Sequence, residues 1–204
     1  MTTVASIEQL EALYDQPPVE HSISKVLDRL NPEYRRVIEA SPFFALATVG
    51  PEGMDCSPRG DRASAVHIVD DATVHIPDRR GNNRLDSLRN IVVDGRLALL
   101  FLVPGVSECL RINGNATLSA DVGLRTRYRV GGNEPKSVIV VTVGSVYFQC
   151  ARAIRRSELW NPARHVDPAT VPTAGQMTKA ASTGNFDAET YDAELADRQA
   201  KTLY

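Results

Sequence analysis

The spacing of apolar residues changes along this chain from a helical period to a strand-like one. The first forty residues have helical spacing, and Asn31-Pro32 begins a segment whose apolar positions recur every three or four residues: Tyr34, Val37 and Ile38. Ser41-Pro42 ends this segment. The pattern predicts an N-terminal helical extension over residues 1–40.

After this extension, short runs of alternating apolar and polar residues follow one another, divided by turn residues. The runs lie at residues 43–49, from 54 onward, 65–69, 72–76, 96–103, 108–118 and 137–150. A single helical segment, with Leu85, Leu88 and Ile91 at helical spacing, interrupts them. Because strands do not alternate with helices, the pattern favours a mainly β fold with flanking helices, a small closed barrel of six or so antiparallel strands, over a doubly wound sheet. The last run is long enough to bend at Gly144.

The remaining residues predict additions to the same domain. A short helix ends near Trp160, a proline-containing loop follows, and a charged surface helix runs from about Asp187 to Lys201. With 204 residues, of which 43% are hydrophobic and 24% charged, the chain suits one well-buried core. We expect the core at residues 41–162 and a C-terminal loop and helix at 163–204.

Charge and composition exclude several classes of protein. The formal net charge of -2 argues against a nucleic-acid partner, because such proteins usually carry a basic surplus. Neither a signal-peptide layout nor a membrane-spanning apolar run is present, so we expect a soluble, cytoplasmic protein without a membrane partner. Three widely spaced cysteines and four scattered histidines suggest neither a disulfide framework nor a metal site.

The segment Pro77–Asn90, which reads P-D-R-R-G-N-N-R-L-D-S-L-R-N, joins a predicted strand to a predicted helix. A strand that leads through a glycine turn into a helix presents free N–H groups and a positive dipole end to an anion, and guanidinium groups add bidentate contacts. The residues therefore predict a phosphate-binding cradle. They leave one alternative open, a solvated helix face on which the arginines pair with Asp78 and Asp86.

Five motifs follow one another in a fixed order along the chain. They are S-P-R-G-D at 57–61, D-R-R-G-N-N-R-L-D-S-L-R-N at 78–90, L-L-F-L-V-P-G at 99–105, L-R-I-N-G-N-A at 110–116 and Y-F-Q-C-A-R-A-I-R-R-S-E-L-W at 147–160. This order resembles the FMN-binding split-barrel superfamily, and most closely its pyridoxamine 5′-phosphate oxidase-like flavoproteins of unassigned substrate. The resemblance covers roughly residues 41–162. It implies a six-stranded, antiparallel, Greek-key-like split β-barrel and a homodimer with two FMN sites in the grooves between subunits.

The resemblance also implies the residues that bind FMN. Asn82, Asn83 and Arg84 correspond to phosphate ligands, and Arg59 approaches from the preceding strand. Asp78 and Arg79 correspond to positions beside the polar edge of the flavin ring.

A second group of residues is implied across the dimer groove. It comprises Glu108, Gln149, Arg156 and Trp160, from the segments that match 108–111 and 149–160. Two alternatives stay open here. In the first, Trp160 anchors its helix on the barrel and does not cover the flavin. In the second, Arg156 lies in a surface salt bridge and does not contact the ligand or the partner.

The chain departs from true pyridoxamine phosphate oxidases at two motifs. It ends in A-D-R-Q-A-K-T-L-Y where they have an arginine-rich, proline-terminated tail, and Asn83-Arg84-Leu85 replaces their S-R-K. Arg79 and Arg80 offset the missing lysine. Both departures argue against vitamin B6 as the substrate.

The sequence therefore predicts an FMN-dependent oxidoreductase that acts on a small organic substrate or reduced nicotinamide. No catalytic residue is predicted, because the cofactor carries the transfer chemistry. The alternatives are a non-catalytic FMN-binding carrier or sensor, and a cradle for another phosphorylated ligand such as a deazaflavin or pyridoxal phosphate.

Overall fold

A computed structural model describes residues 3–14, 16–62 and 65–204, so residues 1, 2 and 15 of the predicted N-terminal extension, and residues 63 and 64 of the predicted core, lie outside it. Seven antiparallel strands form one sheet in the order β2-β1-β5-β6-β7-β4-β3. The strands are β1 Phe43–Gly50, β2 Gly53–Gly60, β3 His67–Ile68, β4 Thr73–Pro77, β5 Arg96–Leu102, β6 Cys109–Ser119 and β7 Val138–Gln149.

The predicted mainly antiparallel β fold is confirmed, and its architecture is consistent with a split barrel. The sheet has seven strands, one for each of the seven predicted runs, whereas the resemblance implies a six-stranded barrel; the short strand β3 pairs with β4 at one edge. Among the described residues the sheet is open instead of closed, with β2 and β3 as its edges. Pro58 lies in β2, and a residue without an N–H donor suits an edge strand.

Helices precede the first strand, lie in the longer connections between strands and follow the last strand. They are α1 Ile7–Glu11, α2 Glu20–Ser24, α3 Pro32–Ala40, α4 Asp86–Val93, α5 Val122–Arg127, α6 Arg152–Ser157, α7 Ala174–Ala181 and α8 Ala188–Lys201, with 3₁₀ turns at Pro162–Arg164 and Pro168–Thr170. Helix α7 lies where only a loop was expected. The domain boundaries at residues 40 and 162 stay predictions. No helix in the described part of the chain has the length and apolar character needed to cross a membrane.

The core lies on one face of the sheet. Alternate residues of β1 and β5 are buried, and the rings of Phe44 and Phe101 lie 5.5 Å apart between centroids. Ile38 of α3 is fully buried in the same cluster. Leu88 and Ile91 of α4 also belong to it and are almost fully buried. Helix α4 therefore packs across β1, β2 and β6. This packing brings the start of α4 beside Asp55, near the start of β2.

Strand β7 contains a bulge at the predicted bend. Asn113 pairs with Ser145 and Gly114 pairs with Val143, so Gly144 is an extra residue without a partner in β6. A bulge of this kind bends the strand and increases its local twist. The prediction of a bend at Gly144 is confirmed.

Candidate functional site

A cavity of about 1320 Å³ lies beside the start of α4. It exceeds the ~300–1,000 Å³ that is usual for small-molecule sites. Seven of the eleven predicted site residues line it, namely Arg59, Asp78, Arg79, Arg80, Asn82, Asn83 and Arg84. The structure therefore brings the whole predicted cradle to one cavity.

The loop between β4 and α4 has an unusual backbone. The N–H of Asp78 donates to the carbonyl of Ser137 at 2.9 Å, which fixes the start of the loop on the segment before β7. Asn83 and Leu85 then adopt left-handed conformations, with φ of 60° and 64°. Leu85 is the N-cap of α4 and makes no side-chain cap, so the first helical turn faces the cavity without a capping side chain.

Most arginines of the cavity pair with carboxylates of the chain itself. Arg59 lies 3.7 Å from Asp78, measured from guanidinium nitrogen to carboxylate oxygen, and the corresponding distance from Arg84 to Asp86 is 2.8 Å. The pair of Arg84 and Asp86 is one that the solvated-face alternative predicts, whereas Arg59 lies outside the segment to which that alternative refers. The structure thus contains one pair of that alternative, and it also places this pair at a cavity.

The pair of Arg84 and Asp86 is weak in energetic terms. The side chains are 73% and 44% exposed. An exposed ion pair contributes about 0–1 kcal/mol, whereas a hydrogen bond to a charged group contributes about 1.5–3 kcal/mol. A phosphate group can therefore compete with Asp86 for the guanidinium of Arg84.

Arg79 is bound more firmly by the protein. Its Nε donates to Asp61 at 3.0 Å and its Nη1 donates to the carbonyl of Tyr128 at 2.6 Å. The side chains of Arg79 and Asp61 are only 17% and 11% exposed. Two of the donors of Arg79 therefore have a structural partner at the edge of the cavity.

Two cations that line the cavity make no salt bridge with the described residues: Arg80 and Lys136. Lys136 was not predicted. It directly precedes β7, and the fold brings it to the cradle although more than forty residues separate them in the sequence. Glu134, its nearest acidic neighbour in the sequence, is paired with Arg125 and Arg129. These two cations are the uncompensated positive charges of the cavity.

A cluster of hydroxyl groups around Asp55 joins β2 to α4. The carboxylate of Asp55 accepts hydrogen bonds from the hydroxyl of Ser57 at 3.0 and 3.2 Å and from that of Ser87 at 2.5 Å. Ser87 is buried in the first turn of α4, where a negative charge is favoured by the helix dipole. All three residues line the cavity, and none was predicted, because their pairing depends on tertiary packing.

Asp78 has an altered acidity. Burial raises the pKa of its carboxyl, and the nearby Arg59 guanidinium opposes this rise. The Nε of Arg59 is buried and has no acceptor among the described residues. An unsatisfied buried donor costs about 1–3 kcal/mol, so this nitrogen suits a ligand acceptor. The donor set of the cavity therefore fits an anionic ligand such as FMN.

The other four predicted residues lie away from this cavity. Glu108 precedes β6, Gln149 ends β7, Arg156 is exposed on α6, and Trp160 follows that helix. The indole N–H of Trp160 donates to the carbonyl of Val106 at 2.8 Å, the contact expected of an anchoring residue.

Strand β7 separates the two groups of predicted residues. The cradle contacts the segment before Val138, whereas Gln149 lies at the other end of this twelve-residue strand. At about 3.3 Å per residue, the two ends are roughly 35 Å apart along the strand. A single chain does not bring both groups to one ligand of ordinary size.

Comparison with known protein families identifies one family to which the sequence is similar. The family model described as pyridoxamine 5′-phosphate oxidase matches residues 30–150. This range contains the seven cavity residues together with Glu108 and Gln149, and it ends before Arg156 and Trp160. Among curated proteins, no match is found.

Several solved structures resemble the chain over somewhat more than half its length. HupZ of Group A Streptococcus is 17% identical, with a TM-score of 0.49, and the match covers 58% of this chain and 93% of that one. An F420 reductase is 19% identical with a TM-score of 0.41, and the match covers 59% and 98%. General Stress Protein 26 of Bacillus anthracis is 13% identical with a TM-score of 0.43, and the match covers 56% and 88%.

Proposed function

The chain belongs to the pyridoxamine 5′-phosphate oxidase family, and from this premise we propose that it is an FMN-dependent oxidoreductase whose cofactor phosphate binds beside the start of α4. The family expected from the five motifs is thereby confirmed. One observation carries the proposal: the predicted cradle, the uncapped first turn of α4 and two unpaired cations line the same cavity.

The phosphate ligands in this proposal are the side chains of Asn82, Asn83 and Arg84, with Arg80 as the additional cation. Three or four hydrogen bonds to a charged group contribute about 5–10 kcal/mol before the ordering cost, and micromolar affinity requires about 8 kcal/mol. The phosphate alone therefore does not give tight binding. A cofactor must also bury its ring against apolar walls of the cavity, which include Pro58 and Pro77.

FMN, when bound, supplies the hydride or electron transfer, and the protein supplies position and polarity. In this proposal Asp78 keeps the place at the ring edge that the resemblance implies, and Arg59 replaces Arg79 there, because Asp61 and the carbonyl of Tyr128 hold two donors of Arg79. Because burial raises the pKa of Asp78, its carboxyl holds a proton to a higher pH than an exposed aspartate does. The Arg59 Nε provides a buried donor to a ring carbonyl or nitrogen.

The proposed substrate is a small organic molecule or reduced nicotinamide. Vitamin B6 phosphates are disfavoured, because Asn83-Arg84-Leu85 stands where true pyridoxamine phosphate oxidases have S-R-K. We further propose a homodimer, in which Glu108, Gln149, Arg156 and Trp160 reach the cofactor of the other subunit.

Titration of the purified protein with FMN tests this proposal. We expect the protein to bind FMN, and we expect Arg84→Ala to raise the Kd about ten- to a hundredfold, the equivalent of about 1.5–3 kcal/mol. Arg89→Ala is the matched control, since Arg89 is an exposed arginine of α4, five residues after Arg84, and does not line the cavity. Absence of FMN binding, or equal effects of the two substitutions, would contradict the proposal.

A non-catalytic FMN carrier is the second candidate, because among the described residues a cradle for the cofactor is assigned but no group that binds a substrate. The FMN-loaded protein separates the two functions. Reduction of the bound flavin by NADH, NADPH or a member of an amine panel, followed by reoxidation, indicates an oxidoreductase. Flavin that none of these donors reduces indicates a carrier or sensor.

A further inference from the structure

We propose that Tyr204, together with Leu203, forms the wall of the cavity against which the aromatic ring of the bound ligand lies, and that Asp61 and Arg79 position this tyrosine. The inference rests on the proposed function, and it names a ring-contacting residue far from the cradle in the sequence. Both residues of the wall follow helix α8.

The phenol of Tyr204 is fixed by a hydrogen bond. Its Oη donates to Oδ1 of Asp61 at 2.8 Å, while Oδ2 of the same carboxylate accepts from Nε of Arg79 at 3.0 Å. One carboxylate thus holds both a guanidinium and a phenol. The hydrogen bond to Asp61 raises the pKa of Tyr204 above its usual value.

The face of the ring has a second contact. The guanidinium carbon of Arg79 lies 5.8 Å from the ring centroid of Tyr204, within the range of a cation–π interaction. Arg79 is itself held by the carbonyl of Tyr128. The ring of Tyr204 is therefore oriented by a chain of contacts that ends at Tyr128, the residue that follows helix α5.

Tyr204 and Leu203 lie at the boundary between two cavities. Leu203, Tyr204, Asp61 and Arg79 line both the main cavity and an adjoining pocket of about 300 Å³. They therefore lie between the two spaces. Leu203 is about half exposed, so it offers apolar surface that a ligand ring can cover.

The chemistry of the cavity requires such a surface. Its cations and the start of α4 bind the phosphate, and the apolar residues beside Arg59 and Asp78, Pro58 and Pro77, are not aromatic. A planar aromatic ring binds best to another aromatic face or to an aliphatic side chain. Tyr204 is the aromatic side chain that lines the main cavity among the described residues.

Substitution of the wall tests the inference through binding. We expect Tyr204→Ala to raise the Kd for FMN about 3- to 10-fold, Leu203→Ala to raise it about 2- to 3-fold, and Tyr204→Phe, which keeps the ring, to change it less than Tyr204→Ala does. Tyr14→Ala is the control, because Tyr14 is 71% exposed and does not line the cavity. A wild-type Kd for Tyr204→Ala and Leu203→Ala would overturn the inference.

Hydrogen exchange gives an independent readout of the same contact. We expect FMN to slow backbone exchange in a peptide that covers residues 199–204 of the wild-type protein, and unchanged exchange there contradicts the inference. If FMN does not bind at all, the proposed function and the wall fail together. If FMN binds and Arg84→Ala weakens it while the wall substitutions and exchange show no effect, only the wall is overturned.

Discussion

At the start of α4, Arg84 lies between two non-glycine residues in the left-handed region. Asn83 is a residue that tolerates this conformation, but Leu85 is not, and such a backbone costs about 1–3 kcal/mol. The surrounding contacts must over-determine it. Asn82 accepts a hydrogen bond from the N–H of Arg84, and α4 is held by the buried Leu88 and Ile91. The strain therefore fixes the direction in which Arg84 leaves the backbone.

A pair of substitutions at one position measures this strain. Leu85→Gly and Leu85→Ala remove nearly the same side chain, but only glycine adopts φ of 64° without a steric penalty. We expect Leu85→Gly to be more stable than Leu85→Ala by about 1 kcal/mol in urea unfolding, and each variant serves as the control for the other. Equal unfolding free energies would show that the backbone at Leu85 is relaxed.

At the scale of elements, periodic segments were predictable and short ones were not. Helices α3, α4 and α8 and the strands of the sheet follow clear apolar patterns in the sequence. Helix α5 was missed because it is six residues long and buries no side chain. The capping box of Thr173 and Gln176 was a local signal for α7, although the proline-containing surroundings favoured a loop.

The residues of the candidate site also fall into a group that the sequence predicted and a group that it did not. The contiguous part of the site, residues 78–84, was predictable because the chemistry of an anion site is local in sequence. Lys136, Asp61 and Tyr204 were not, because only tertiary packing brings them to the cavity; the hydrogen bond between Asp61 and Tyr204 joins residues 143 positions apart. The spacing of apolar residues in the sequence does not predict such a contact.

The bulge in the β6–β7 ladder gives a prediction for the sheet. A Cβ atom added at Gly114 would lie 2.2 Å from the carbonyl oxygen of Thr142, which is backbone and cannot move aside cheaply. We expect Gly114→Ala to lower the free energy of unfolding by about 2 kcal/mol or more, because overpacking of this kind typically costs about 1–3 kcal/mol.

The matched control is Gly184→Ala, since nothing lies within 4 Å of a Cβ at that position. It carries the same entropic effect on the unfolded chain as any glycine-to-alanine change. Chemical denaturation of both variants gives the comparison. If Gly114→Ala loses no more stability than Gly184→Ala, the close approach of the two strands at the bulge is wrong.

At the scale of the whole molecule, the two groups of predicted ligands lie at opposite ends of β7. We propose that one chain provides the cradle for one ligand and the residues around Gln149 for another. A two-fold axis that crosses β7 near its middle, perpendicular to the strand, would bring each end of the strand close to the opposite end of its partner. The proposed homodimer thus explains why Glu108, Gln149, Arg156 and Trp160 are absent from the cavity wall.

Mixed dimers test this arrangement. Arg84→Ala alters the cradle and Arg156→Ala alters the distant group, so each variant alone is expected to bind FMN weakly. When equal amounts exchange subunits, about half the dimers are mixed, and each mixed dimer holds one intact site and one doubly altered site. We expect about a quarter of all sites to recover wild-type affinity. A mixture of Arg84→Ala with the double variant Arg84→Ala/Arg156→Ala is the control, because it rebuilds no intact site. No recovery in the first mixture, or a sedimentation mass of 22.3 kDa at micromolar concentration, would contradict the shared site.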